Sequence, residues 1–182
     1  GEEKLILNAL AAANVPNLLT IIVPRHPERF DEVAKLLEAQ RIAYCRRSEF
    51  AMGNVASEIP NCQVILGDSM GEMFTYYAAC DAALIGGSLM PLGGQNLIEA
   101  CAMGKPVLIG EHTFNFTDAS EQAIRAGAAI RVNEKDLAQK INLLMTDTAK
   151  QTDMGKAGLV FSKKAAGATQ RMLDLIRPYL KT

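Results

Sequence analysis

A glycine-rich turn followed by a polar pair contains the residues of this sequence best suited to chemistry. Gly93 and Gly94 lie where the turn is expected to become a helix, and glycine there lets a ligand approach the backbone. The first amides of that predicted helix have no internal partner, so they can bind a phosphate or a carboxylate. Asn96 and Glu99 are three residues apart, which places both side chains on one helix face. A carboxylate beside an anion site suits sugar hydroxyls such as those of a ribose; the alternative is a tight loop with a capped helix.

A second candidate group follows the first long apolar run, Leu18 to Val23. Arg25 has a planar, charged guanidinium that can bind an anion or stack on a base. The alternative for Arg25 is a surface ion pair with Glu28 or with an N-terminal neighbour. His26 either binds a phosphate or has a structural role before the next proline, and the sequence favours neither.

Two further segments have polar residues after apolar runs. Ser69, Met70, Gly71 and Glu72 can line a nucleotide with backbone groups, or Ser69 and Glu72 can form a capping box for the following helix. Ser88 either offers its hydroxyl to a phosphate or is an ordinary turn serine. A third segment, residues 111–116, has two phenylalanines and is interpreted as a lid or a contact between lobes.

Apolar runs of strand length alternate with helical patterns along the whole chain. The predicted strands are Leu18–Val23, Ile42–Cys45, Cys62–Leu66, Ala82–Ile85, Pro106–Ile109 and Ala128–Val132. The predicted helices are Glu2–Ala12, Phe30–Ala39, Met73–Ala79, one after Gly94, one capped by Asp118 and ending at Ala126, Glu134–Met145 capped by Asn133, and two from Thr148 onwards that part near Ala165–Gly167. Arg46–Pro60 has no period and is predicted to be a loop.

This alternation predicts an α/β domain: a Rossmann-like parallel sheet with helices on both faces, spanning residues 1–182 as a single domain. In such sheets ligands bind at the carboxyl ends of the strands. The segments PRHPER, GDSMGE, SLMPLGGQN and EHTFNF all fall there. Their convergence on one edge is the strongest indication of a binding site.

Composition excludes several functional classes. The net charge is −1, so no broad basic field attracts nucleic acid, and no apolar run reaches the roughly 18 residues of a membrane span. Two histidines without regular carboxylate spacing predict no metal site. The four cysteines lie far apart and are interpreted as buried free thiols in a reducing compartment. The sequence has no P-loop, no GxGxxG after the first strand and no GxSxG elbow.

The combination of PRHPER, GDSMGEM, GGSLMPLGGQNLIEA and GKPVLIGEHTFNF resembles the 3-deoxy-D-manno-octulosonic acid (Kdo) transferases of lipopolysaccharide synthesis. The resemblance covers the chain from Gly1 to about Leu180. It implies the C-terminal, donor-binding lobe of a GT-B glycosyltransferase. Such an enzyme transfers Kdo from CMP-Kdo to a lipid A precursor with inversion, without a metal or other cofactor, at the cytoplasmic side of the bacterial inner membrane.

The resemblance also implies roles for particular residues. It places CMP contacts at Pro24 and Arg25, at Met70 to Glu72, and at Asn96 to Glu99, with Glu99 on the ribose hydroxyls. With the turn residues, the candidate nucleotide-binding set is Pro24, Arg25, His26, Ser69, Met70, Gly71, Glu72, Ser88, Gly93, Gly94, Gln95, Asn96, Leu97, Ile98 and Glu99.

Two departures from the family pattern bear on activity. Many members have histidine at the position of Gln95, and glutamine cannot carry charge in a proton transfer. The family's catalytic base is an acidic residue of an N-terminal lobe, which also carries the acceptor site and the membrane-docking surface. That lobe is absent from this chain, so we expect a soluble fragment that binds nucleotide without transferring sugar. The alternatives are a UDP-sugar-dependent GT-B enzyme or epimerase lobe, and a non-enzymatic nucleotide-binding domain.

Overall fold

The computed structural model describes residues 1–50 and 62–179, with the side chains of residues 168–171 left aside. Much of the predicted Arg46–Pro60 loop therefore lies outside the described residues. The strands are β1 (Thr20–Ile22), β2 (Tyr44–Arg46), β3 (Val64–Leu66), β4 (Ala83–Ile85), β5 (Val107–Ile109) and β6 (Ala129–Arg131). The α-helices are α1 (Glu3–Ala13), α2 (Phe30–Ala39), α3 (Met73–Ala79), α4 (Ile98–Ala102), α5 (Thr117–Arg125), α6 (Leu137–Thr146) and α7 (Thr148–Ile176). Single 3₁₀ turns occupy Pro27–Arg29, Arg47–Glu49 and Arg177–Tyr179.

The strands pair in parallel, which confirms the predicted fold class. They form two three-stranded sheets within the described residues, with the orders β1-β3-β2 and β4-β5-β6. Each strand is short and ends at the same edge as its neighbours, for example Ile85 opposite Ile109. The loops that follow the strands therefore meet along the carboxyl edges of the two sheets.

Alternate residues of β5 show that helices cover both faces of the second sheet. Val107 and Ile109 are fully buried in one cluster with residues of α4, α5 and α7. Leu108 lies on the opposite face, in a cluster with residues of α1 and α6. The predicted strand thus buries both faces, which explains its unbroken run of apolar residues.

Helix α1 links the two sheets. Its Leu7 is buried with Ile22 of β1 and Leu37 of α2, while Ala9 and Ala13 are buried against the second sheet. Leu10 packs against both clusters. The apolar face of this single helix therefore holds together the two halves that supply the candidate site.

Three predictions about helices are wrong. The C-terminal region is one helix, α7, and not two, because alanine favours helix and one glycine inside a helix costs only about 1 kcal/mol. Phe116, not Asp118, is the N-cap of α5, and Asp118 lies in the first turn. Helix α6 begins at Leu137, since residues 134–136 form a turn in which Asn133 accepts the amides of Lys135 and Leu137, each at 3.0 Å.

Candidate functional site

Arg25 connects the carboxyl edges of the two sheets. It is exposed just beyond β1, after the buried Pro24, and its Nη1 donates a hydrogen bond to the side-chain oxygen of Gln95. Gln95 belongs to the turn after β4, in the other sheet. The structure thus brings together two segments that are 70 residues apart in the chain, as the parallel-sheet rule predicts.

The two glycines before Gln95 are required by the protein's own loops. Gly93 and Gly94 have φ values of +94° and +76°, in the left-handed region that favours glycine. A Cβ on Gly93 would lie 2.2 Å from Nδ2 of Asn115, and the Gly93 carbonyl accepts the Asn115 amide at 3.1 Å. Both glycines are buried. Their small size therefore serves the packing of the turn on residues 111–116, and not the approach of a ligand.

Asn96 and Glu99 meet as predicted, although Asn96 precedes the helix. The Asn96 amide group donates to Glu99 Oε1 at 3.1 Å, and its oxygen accepts the Ile98 amide at 3.0 Å. Asn96 therefore binds the first amide of α4 and orients the Glu99 carboxylate at once. Both side chains are half-buried at the edge of the sheet.

The predicted anion site on the helix amides is not supported by this geometry. Helix α4 has only five residues and begins at Ile98, four positions after Gly94. Asn96 already uses the Ile98 amide. Leu97 is fully buried, so its side chain belongs to the core and faces no ligand. Arg25 is left as the group on this edge best suited to a phosphate.

The loop between β3 and α3 is stabilised by a network around Glu72. Its carboxylate accepts hydrogen bonds from Arg47 Nη2 at 2.8 Å and from the Ser69 hydroxyl, and these partners hold the pKa of Glu72 below its ordinary value. The Ser69 hydroxyl also lies 2.7 Å from that of Tyr76. No capping box forms, because Glu72 itself is the N-cap of α3 and the Ser69 hydroxyl is directed to its side chain.

Met70 and Gly71 project from this network towards solvent. Met70 is 66% exposed, and Gly71 has a φ of +80° with open space where a Cβ would lie. An exposed methionine beside an open stretch of backbone is suited to contact a flat apolar ligand surface such as a base. The structure therefore leaves these two residues available to a ligand while Ser69 and Glu72 act as supports.

Ser88 is placed inside the protein. Its side chain is fully buried, its hydroxyl donates to the Ile85 carbonyl, and it accepts the Gly110 amide at 2.8 Å. The hydroxyl thus joins the turn after β4 to the end of β5 and is not offered to a ligand in this arrangement.

His26 follows β1 in the first sheet, and His112 follows β5 in the second. His26 is exposed, and its Nδ1 is 3.9 Å from Glu28 Oε1, which is an ion pair only when the imidazole is protonated. The His112 amide donates to the Ser88 carbonyl at 2.9 Å. Phe114 is 65% exposed, and that residues 111–116 form a lid or a contact between lobes stays a prediction.

Sequence reasoning missed two side chains that support the site. Arg47 binds Glu72, although it lies in a segment with no period. Glu2 is predicted from the sequence only as the first residue of a helix, yet it is buried and accepts three backbone amides of the turn after β4. Its position in two consecutive glutamates gives no hint of this contact.

Asp68 anchors the loop after β3 by binding the segment after β2. Its side chain is only 4% exposed and accepts the Ser48 amide at 2.8 Å, the Ser48 hydroxyl at 2.7 Å and Arg46 Nη1 at 3.4 Å. Burial raises the pKa of the Asp68 carboxyl, but the hydrogen bonds from Ser48 and Arg46 outweigh burial and the pKa lies below its ordinary value.

Acid is expected to weaken the fold through Asp68. Because the folded pKa lies below the unfolded one, its stabilisation is complete above the unfolded value of about 4 and is lost as the pH falls through the folded value. Thermal unfolding of the unsubstituted chain and of Asp68→Asn, measured from about pH 6 to about pH 3, tests this. The difference between their melting temperatures should become smaller as the pH falls. A difference in melting temperature between these two chains that stays constant over this pH range would contradict the prediction.

Two negative findings apply to the described parts of the chain. Residues 1–50 and 62–179 contain no group of three or more histidine, cysteine, aspartate or glutamate side chains placed to hold a metal ion. Over those same ranges, no helix combines the length and the apolar character needed to cross a membrane.

Residues 56–160 match the family described as Glycosyl transferases group 1, which covers more than half of the chain. The chain belongs to this family. The 3-deoxy-D-manno-octulosonic acid transferase of Bordetella pertussis is 45% identical to this chain over 186 residues, which cover 99% of the chain and 42% of the relative. The enzyme of the same name from Haemophilus influenzae is 40% identical over 187 residues, which cover 100% of the chain and 42% of that relative.

A solved structure supports the same relationship. The C-terminal CMP-Kdo binding domain of WaaA from Acinetobacter baumannii matches with a TM-score of 0.72 and 32% identity, covering 90% of this glycosyltransferase chain and 82% of the solved chain. The resemblance to Kdo transferases is thus confirmed, as is the GT-B donor-lobe fold. The chain spans less than half the length of the curated relatives it matches.

Proposed function

We propose that this chain binds CMP-Kdo as the donor-binding part of a Kdo transferase. The observation that carries the proposal is the contact between Arg25 and Gln95, which joins two separate motifs into one cationic, polar surface. The Acinetobacter baumannii domain, which its title describes as binding CMP-Kdo, supports the choice of ligand.

Each part of CMP finds a suitable partner on this surface. Arg25 binds the phosphate, because a guanidinium donates several hydrogen bonds to an oxyanion, and Gln95 limits where that guanidinium lies. Glu99 accepts the ribose hydroxyls while Asn96 holds its other oxygen. Met70 and Gly71 contact the base, on a loop supported by Glu72 and Arg47.

The same residues favour departure of CMP. When the bond between the phosphate and the anomeric carbon breaks, negative charge grows on the phosphate, and Arg25 stabilises that charge without needing a metal. The acceptor hydroxyl of a lipid A precursor attacks the face of the anomeric carbon opposite the departing phosphate, so the configuration of that carbon inverts. The proton of the hydroxyl passes to a carboxylate outside this chain. Gln95 cannot take part in that proton transfer, because its amide does not titrate.

We infer from this division of roles that the chain alone binds the donor nucleotide and does not transfer sugar. In the whole protein, the acceptor and the membrane surface then contact residues outside this chain. A Kdo transfer assay with the isolated chain and a lipid A precursor tests this part. Product formation would place the base within these 182 residues and contradict the inference.

The test of the proposal is a titration of the isolated chain with CMP, UMP and inorganic phosphate, followed by amide NMR shifts. We expect CMP to bind most tightly, with shifts centred on Arg25, Met70–Glu72 and Asn96–Glu99. A preference for UMP would indicate a uridine-nucleotide enzyme. No shift with any nucleotide would contradict the proposal for this chain.

The variant Glu99→Gln identifies the ribose contact within the same titration. A hydrogen bond to a charged partner contributes roughly 1.5–3 kcal/mol, so CMP affinity should fall at least about tenfold. The affinity for 2′-deoxy-CMP should fall much less, since one of the two hydroxyls is already absent. Equal losses with both nucleotides would show that Glu99 does not read the ribose 2′-hydroxyl.

A further inference from the structure

Glu2 occupies an unusual position for a carboxylate. It immediately precedes α1 and is only 5% exposed. Its Oε2 accepts the Gly87 amide at 2.5 Å, and its Oε1 accepts the amides of Leu89 and Met90 at 2.5 and 2.7 Å. Three amides of one turn therefore converge on a single buried anion.

The neighbouring residue, Glu3, binds the other half of the structure. Its carboxylate lies 2.9 Å from Arg29 Nη1, in the segment that follows β1. Glu2 and Glu3 thus attach the start of α1 to the carboxyl edges of both sheets. These are the edges that Arg25 and Gln95 connect on the ligand side.

The turn that Glu2 binds continues directly to the nucleotide-binding residues. Glu2 accepts the amide of Gly87, and the carbonyl of Gly87 accepts the amide of Gly94 at 2.8 Å. Gly94 precedes Gln95, whose side chain accepts the hydrogen bond from Arg25. An unbroken series of contacts therefore runs from Glu2 through the turn to the guanidinium that faces the phosphate.

We propose that Glu2 is a positioning residue of the nucleotide site, which fixes the turn after β4 by supplying an internal anion to the amides of Gly87, Leu89 and Met90. The role rests on the proposed nucleotide binding. It requires a carboxylate, because the two oxygens together accept all three amides. A glutamine would direct an N–H group at one of these donors and leave it unpaired in a buried place.

The experiment compares Glu2→Gln with Glu3→Gln in the isolated chain, using amide shifts before and during a CMP titration. Glu3→Gln removes the same charge one residue further along the chain, but the Glu3 carboxylate binds Arg29 and not the turn after β4. In Glu2→Gln we expect upfield amide proton shifts at Gly87, Leu89 and Met90 without nucleotide, and a CMP affinity roughly tenfold weaker. In Glu3→Gln the shifts should centre on Arg29 instead.

Chemical rescue separates positioning from a general loss of stability. Glu2→Ala empties the place of the carboxylate, so added formate should bind the three amides and restore much of the CMP affinity. Formate should not improve the exposed control Glu134→Ala. Rescue that fails in a folded Glu2→Ala chain, or unchanged CMP affinity in Glu2→Gln, would overturn the positioning role. If the natural chain itself binds no CMP, the proposed function fails, and the nucleotide-free shifts still report whether Glu2 holds the turn.

Discussion

Replacement of Arg25 by alanine is expected to weaken CMP binding by roughly ten- to a hundredfold, the equivalent of about 1.5–3 kcal/mol for a charge-assisted hydrogen bond. Arg25 is exposed at the edge of the first sheet, and its side chain donates a hydrogen bond to Gln95. Its removal should therefore leave the core intact while it removes the cation that we propose binds the phosphate. Calorimetric titration of the folded variant with CMP measures the loss.

Matched ligands and variants identify the phosphate as the group that Arg25 binds. Cytidine lacks the phosphate, so its affinity should change little in Arg25→Ala. Arg25→Lys should recover part of the CMP affinity, because an ammonium keeps the charge but lacks the planar fork of donors. Arg125→Ala, which removes an exposed arginine from the last turn of α5, is the control for net charge. An equal loss for cytidine and CMP would contradict the assignment.

Replacement of Gly110 by alanine is expected to destabilise the whole domain by about 3 kcal/mol or more, as severe overpacking does. Gly110 follows β5, and a Cβ there would lie 2.0 Å from the Ser88 carbonyl oxygen and 2.5 Å from the Leu89 amide nitrogen. These are backbone atoms that also bind His112 and Glu2, so they cannot move aside without breaking further hydrogen bonds. Urea unfolding monitored by circular dichroism measures the effect.

The variant Gly127→Ala separates the effect of steric overlap from the effect of backbone strain. Gly127 has a φ of +76°, but a Cβ there would meet no atom within 4 Å. The free energy of unfolding of Gly127→Ala should therefore fall only by the roughly 1–2 kcal/mol that a left-handed backbone costs a non-glycine residue. If Gly110→Ala were as stable as Gly127→Ala, the close approach of β5 to the turn after β4 would not be as rigid as we infer.

Local elements were predictable where one strong pattern determined them. The bounds of α2 and α3 match the prediction at both ends, and five of the six predicted strands contain the observed one. The exception is β2, which includes Arg46, one residue beyond the predicted end at Cys45. The predicted helix break at Ala165–Gly167 was wrong, because a single glycine does not by itself end a long helix. The predicted cap at Asp118 was also wrong, because an acidic residue near a helix start stabilises the first turn without being the N-cap.

The site was predictable at the level of which segments meet. Arg25 follows a strand of the first sheet, and Gln95, Asn96 and Glu99 follow a strand of the second. The contact between Arg25 and Gln95 joins the carboxyl edges of the two sheets, where the rule places ligands. The sequence could not distinguish ligand-facing from buried polar residues. Ser88 and Glu2 are hidden because their partners are backbone atoms of loops distant in sequence, and no spacing within the chain encodes such a contact.

The sequence by itself determined the α/β class, the parallel order of short buried strands and the edge on which polar residues gather, because these depend on hydrophobic period and on chain connectivity. Only the tertiary structure decided why Gly93 and Gly110 must be glycine and which carboxylates support loops. Those outcomes depend on close approach between segments such as residues 86–90 and Glu2, and close approach is a property of packing in three dimensions.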